Sequence, residues 1–242
     1  MSPRFPWLRS SPAVLALTFA LAGCMAPPIN DSARVGPFHT PRNFVGEPQL
    51  PAQLRRVVVL PIAGGAVAPA ESAAALAPVF TAEMQKQNRF EIVTLTREDC
   101  LHRYHAEEFS STTALPPDLM ARLRREYAAD AVMFIDLTVY KPYRPLALGV
   151  RAKLATLGDD VRLLWSFDNV FSAEDAAVAN SARHHYLESD RGGVPADLTT
   201  GVLLSPSRFA GYVAAEMFAT LPPVYTPPPP APARPAGVAN PR

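Results

Sequence analysis

Proline placement limits what this chain can fold into more than any other feature. A proline has no backbone N–H and a fixed φ, so it interrupts the interior of helices and strands. Of the 27 prolines among 242 residues, six fall in positions 25–51 and nine in the last 21 residues, from Pro222 onward. The stretch Ala52 to Leu221 holds nine, and only there does apolar periodicity persist. The flanks bury too little surface to fold alone. They read as a linker (24–51) and a tail (222–242) around one domain, residues 52–221. Fully extended at roughly 3.1 Å per residue, the leader would carry that domain roughly 80 Å from its origin.

Residues 1–23 have the three parts of a secretory signal. Arg4 and Arg9 supply the positive start, Pro12 to Ala20 an apolar core too short to span a bilayer, and Leu21-Ala22-Gly23 the small residues of a cleavage site. Leu21-Ala22-Gly23-Cys24 resembles the lipobox of bacterial lipoproteins. The resemblance implies a diacylglyceryl group on the Cys24 thiol and an acylated amine, a firm membrane anchor because several acyl chains act together. It also implies sorting to the outer membrane, periplasmic side, since Met25 rather than Asp follows the cysteine. The mature chain, Cys24 to Arg242, then has 21 basic against 22 acidic residues. That balance gives no reason to expect nucleic acid as a partner. With Cys24 lipidated, Cys100 has no thiol to pair with and is expected to be buried.

Within 52–221 the pattern predicts β-α-β-α-α-β-β-β-α-α. Arg55–Ile62 (RRVVVLPI) is a β-branched run suited to a strand buried on both faces. Leu76, Phe80 and Met84 place one apolar stripe on a helix over 71–87. Phe90–Leu95 alternates as a strand, and Thr96 with Asp99 reads as a capping box. Pro116-Pro117 opens a helix carrying Leu119, Leu123 and Tyr127. Ala131–Tyr140, Leu148–Thr156 and Val161–Phe171 form an antiparallel meander, its second turn at Gly158-Asp159-Asp160. Helices follow from Ser172 toward Tyr186 and from Ser205-Pro206. The fold class is therefore α/β, with a mixed sheet of about five strands flanked by helices.

The β-α-β opening, the lead-in Tyr127-Ala128-Ala129-Asp130-Ala131-Val132 and the Trp165 hairpin together resemble a group of periplasmic domains. The group comprises the curli-secretion lipoprotein (CsgG), the TolB N-terminal domain and the penicillin-binding-protein activator LpoB. The resemblance covers roughly residues 54–172, with Ala128-Ala129-Asp130 in place of the group's Gly-Ala-Asp. It implies a non-enzymatic binding, scaffold or regulatory module in cell-envelope and peptidoglycan assembly. An alternative is a self-assembling subunit of an envelope export complex. No spare alternating segments remain to build the membrane strands of a pore.

Chemistry-bearing residues are sparse. Cys100, His102 and His105 diverge around a helix, and the adjacent His184-His185 point about 100° apart, so neither set reads as a metal or nucleophile site. The second pair reads as a solvated helix face. Glu107-Glu108 and Asp159-Asp160 lie in loops where acids are common. Gly64-Gly65 lacks the glycine spacing of a phosphate loop. No cofactor is expected. Tyr140, Lys141, Tyr143 and Arg144, held between prolines at a strand end, form the candidate binding edge for an envelope protein. The ordinary reading of the same residues is a strand end blunted against aggregation. Pro227–Pro230 reads as a spacer or as a polyproline ligand.

Overall fold

The computed structural model describes residues 31–158, 160–189 and 200–225. Residues 1–23, read above as a signal segment, Cys24, Asp159 and the tail beyond Tyr225 lie outside the described residues. The domain's ten elements appear in the predicted order. They are β2 (Arg56–Val59), α2 (Ala70–Lys86), β3 (Glu91–Thr94), α3 (Arg97–Tyr104), α4 (Leu119–Tyr127), β4 (Ala131–Lys141), β5 (Ala147–Thr156), β6 (Leu163–Ser172), α5 (Ala176–Ser189) and α6 (Pro206–Ala219). Two more precede them, α1 (Ser32–Val35) and β1 (Phe44–Gly46), and a 3-10 turn, Gly201–Leu204, leads into α6.

The sheet has six strands in the order β1-β6-β5-β4-β2-β3. β2 pairs in parallel with β3 on one side and β4 on the other, which is why its valines form an unbroken apolar run. β4, β5 and β6 are antiparallel neighbours. A bulge between Leu137 and Val139 shifts the β4–β5 register. It presses Thr138 Oγ1 and the Val139 amide (2.8 Å) onto the place a side chain at Gly149 would occupy, so only glycine fits there.

Two apolar layers sandwich the sheet. On one face, α2 and α6 pack side by side over a core holding Trp165, Phe167 and Phe171, with α5 against α6 and β6. On the other, α3 and α4 cover Val58, Val132 and Phe134 and bury Cys100. Helix ends follow the local chemistry. Thr96 and Asp99 form the reciprocal capping box, and the Ser205 hydroxyl caps α6 with Pro206 at its first position. Pro116-Pro117 do not open α4 directly; it begins at Leu119 after Asp118. The tyrosine, phenylalanine and tryptophan rings of the larger core meet edge-on or offset, as ring quadrupoles favour.

The sixth strand comes from the segment read as linker. α1 lies on α5, and β1 pairs antiparallel with β6, matching Phe44 to Phe167 and Gly46 to Trp165. Leu50 bridges Val224 beyond α6. Residues 31–50 are thus part of the fold. Their partners lie more than a hundred residues away, so no local periodicity reports them.

Phe167 stacks between Trp165 and Phe171 with its side chain buried. Phe167→Ala is expected to lower unfolding free energy by about 3–5 kcal/mol in chemical denaturation, the usual cost of such a cavity. A loss below 1 kcal/mol would contradict this core assignment.

Candidate functional site

Three places carry polar groups in unusual arrangements. The first is the β4–β5 tip. β4 continues to Lys141 and β5 begins at Ala147, so residues 142–146 form the turn. Lys141 and Arg144 are exposed, and the Tyr143 ring is 84% exposed. Tyr140 behaves differently, packing against the core. Three of the four predicted binding residues therefore share the tip, and the fourth supports its base beside Pro206 and Phe209.

The second place is the end of β2. Glu108 accepts the backbone N–H groups of Gly64 (3.2 Å) and Gly65 (3.1 Å), and Arg97 Nη2 donates to the same carboxylate. Burial pushes the Glu108 carboxyl up, but Arg97 and the two glycine amides more than offset it, leaving the group below its ordinary value. Gly65 has φ +52°, which turns its N–H beside that of Gly64. A second carboxylate, Asp136, is 5% exposed and accepts the Ser111 N–H and hydroxyl, while Lys153 Nζ donates to Ser111 O (2.9 Å). Together these pin the loop between α3 and α4 across the sheet end. A cleft of about 630 Å³ lies nearby, between α2 and the start of α3, lined by Pro61, Ile62, Ala77, Pro78, Leu95 and Arg97.

The third place is where the leader meets α5. The Asp31 carboxylate accepts from the Ala33 N–H and from Arg183 Nη2 (2.9 Å), bonds that hold it below the usual carboxylate value. Asn180 donates to Pro37 O, and the His39 N–H donates to Ser181 Oγ (2.7 Å). The His184 ring packs against Phe38, tilted by 35°, with its Nδ1 2.9 Å from Ala33 O. His185 faces inward against Tyr186 and Tyr212. The histidine pair is therefore not a solvated face, because the leader covers one ring and α6 the other.

The other sequence candidates are separated. Cys100 is buried and its thiol is pushed up to about 11 by burial, while His102 lies outside near Glu98. His105 ends α3 in the left-handed conformation. Among the described residues, no group of three or more His, Cys, Asp or Glu could hold a metal ion, and no helix is long and apolar enough to cross a membrane. The leader contacts and the Glu108 cradle were not visible in the sequence. Their only signal was Gly64-Gly65 at a strand end.

No family model and no curated protein matches the chain. Solved structures similar to it include the PelC dodecamer from Paraburkholderia phytofirmans, at 12% identity and TM-score 0.37, covering 69% of this chain and 94% of that one. Lipoprotein GNA1162 from Neisseria meningitidis matches at 17% identity and TM-score 0.40, covering 56% and 93%. The hypothetical protein CT253 from Chlamydia trachomatis matches at 15% and 0.41, covering 69% and 98%. At these TM-scores the likenesses carry no functional conclusion.

His39 and His185 are both held below the ordinary imidazole value of 6.5, chiefly by burial. Such a group stays neutral in the folded chain while the unfolded chain takes up a proton below that value. Stability is therefore full above it and falls as pH drops through it. Urea titrations should show lower unfolding free energy at about pH 5.5 than at about pH 7.5. His39→Gln should flatten part of that slope. An unchanged slope in the variant would remove His39 from the effect.

Proposed function

We propose that this chain is an outer-membrane lipoprotein, anchored through Cys24 on the periplasmic side. Its domain serves as a binding, scaffold or regulatory module in envelope and peptidoglycan assembly rather than as an enzyme. One observation carries the reading: the lipobox cysteine precedes Asp31, already bonded to the domain through Arg183, by only seven positions. Seven residues span at most about 25 Å. The domain therefore works close to the membrane surface, not at the end of a long leader, and its partner comes to it there. The parallel β2-α2-β3 opening and the β4-β5-β6 meander support kinship with the curli-secretion, TolB and LpoB group. The exposed Lys141, Tyr143 and Arg144 tip is the contact surface, offering an aromatic ring and two cations that no buried contact needs. Against nucleophilic chemistry stands the raised, buried Cys100 thiol.

A second reading is a self-assembling export subunit. The sheet favours it in one respect: among the described residues β1 and β3 are the edge strands at opposite sides, an arrangement in which copies could join head to tail. Mass in mild detergent separates the two, since a ring elutes at many times the monomer.

Cross-linking in intact cells tests the proposal. The wild-type chain should capture an envelope protein, and both Cys24→Ser and the tip variant Arg144→Glu should lose it. Capture that persists in Cys24→Ser would refute the tethered role. Capture confined to copies of the chain would favour assembly.

A further inference from the structure

β2 and β3 run parallel, side by side, but the chain leaves them in opposite directions. After β2 it enters α2, on the face that holds Trp165; after β3 it enters α3, on the face that buries Cys100. Neighbouring strands whose next helices lie on opposite faces leave a crevice outside their carboxyl ends, the switch point at which open α/β sheets bind ligands. The 630 Å³ cleft lies at that crevice. Pro61 and Ile62 line it from the end of β2, Leu95 and Arg97 from the end of β3, and Ala77 and Pro78 from α2. Among the described residues its charged lining comes from Arg97 and Glu98, and Glu98 is 84% exposed along its side chain.

Arg97 joins this cleft to the Glu108 cradle. Its Nη2 donates to Ile62 O (2.7 Å) and to Glu108, so the guanidinium is fixed where the two meet. Glu108 lies in the cradle as a bound carboxylate would. One oxygen accepts the Gly65 N–H, and the other accepts the Gly64 N–H and Arg97. Paired backbone donors beside a guanidinium match the two oxygens of a planar carboxylate. Glu107 adds little, at 3.8 Å from Arg97 and more than half exposed.

We propose that cleft and cradle form one site for an apolar carboxylic acid, with Glu108 as the chain's own stand-in for the ligand's head group. The ligand's carboxylate replaces that of Glu108 on Arg97, Gly64 and Gly65, and its apolar chain lies along Ile62, Pro78 and Leu95. Only the Glu108 side chain has to turn out, because Phe109 in the core and Ser111 on Asp136 keep the loop in place. One carboxylate for another leaves the charges and donors of the cradle matched. Affinity therefore comes from the chain, about fourfold for each methylene buried. Glu108 is tethered and competes at roughly millimolar effective concentration, so a carboxylate without a chain does not displace it. The assignment does not depend on lipidation of Cys24, and its failure would leave the proposed anchoring untouched.

Octanoate, kept below its micelle concentration, is the probe, titrated into the mature chain carrying Cys24→Ser, which needs no detergent. Calorimetry reads the affinity, and amide NMR follows Gly64 and Gly65. Octanoate should bind at a single site and shift both amides, while acetate should do neither. 1-Octanol, lacking the charged head, should bind about tenfold more weakly. Glu108→Gln keeps the side chain's shape and removes the competing charge, so it should tighten octanoate by about threefold or more. No octanoate binding to the chain with Glu108 in place would overturn the inference. Equal affinity for octanol would also overturn it, by leaving an apolar cleft without a head-group site. So would unchanged or weaker binding in a Glu108→Gln chain that circular dichroism shows to be folded, since Glu108 would then be no competitor.

Discussion

Three residue pairs between Phe44–Gly46 and Trp165–Phe167 decide what kind of molecule this is. They turn a proline-containing leader into the sixth strand of the sheet, and the rest of the leader follows. Asp31 on Arg183, Pro37 on Asn180 and His39 on Ser181 then bind it along α5. Individually these are modest bonds, the neutral ones each contributing about 1 kcal/mol after exchange with water. Acting in series they fix residues 31–39 along α5. Val45, 72% exposed, shows that little apolar burial holds this strand. Backbone pairing and polar contacts hold it.

The domain itself was legible because its signals are local. The valine run of β2, the Leu76-Phe80-Met84 stripe and the Thr96-Asp99 box each lie within a few residues, and each produced the expected element. The leader was not legible because its partners lie far along the chain. Nothing within 31–50 shows that Phe44 will face Phe167. The same reason hid the environment of His184, whose ring is covered by Phe38. At the tip the alternation of β4 placed Lys141, Tyr143 and Arg144 correctly at a strand end but could not show that Tyr140 turns into the core.

Charge is used in this molecule mainly to fasten irregular backbone. Glu108 holds the glycine pair after β2, and Asp136 holds Ser111. Asp31 holds both the first turn of α1 and Arg183. In each case a carboxylate accepts backbone N–H groups that the surrounding turn cannot satisfy. This leaves the apolar layers to set the fold.

In the proposed lipoprotein, a leader bound into the sheet would hold the domain against the membrane that the Cys24 lipids enter. Neutron reflectometry on the mature, lipidated protein at a supported bilayer measures it directly. With that anchoring, the protein layer begins within about 25 Å of the lipid headgroups, the reach of seven residues. A water-filled gap approaching the roughly 80 Å of a fully extended leader would contradict it.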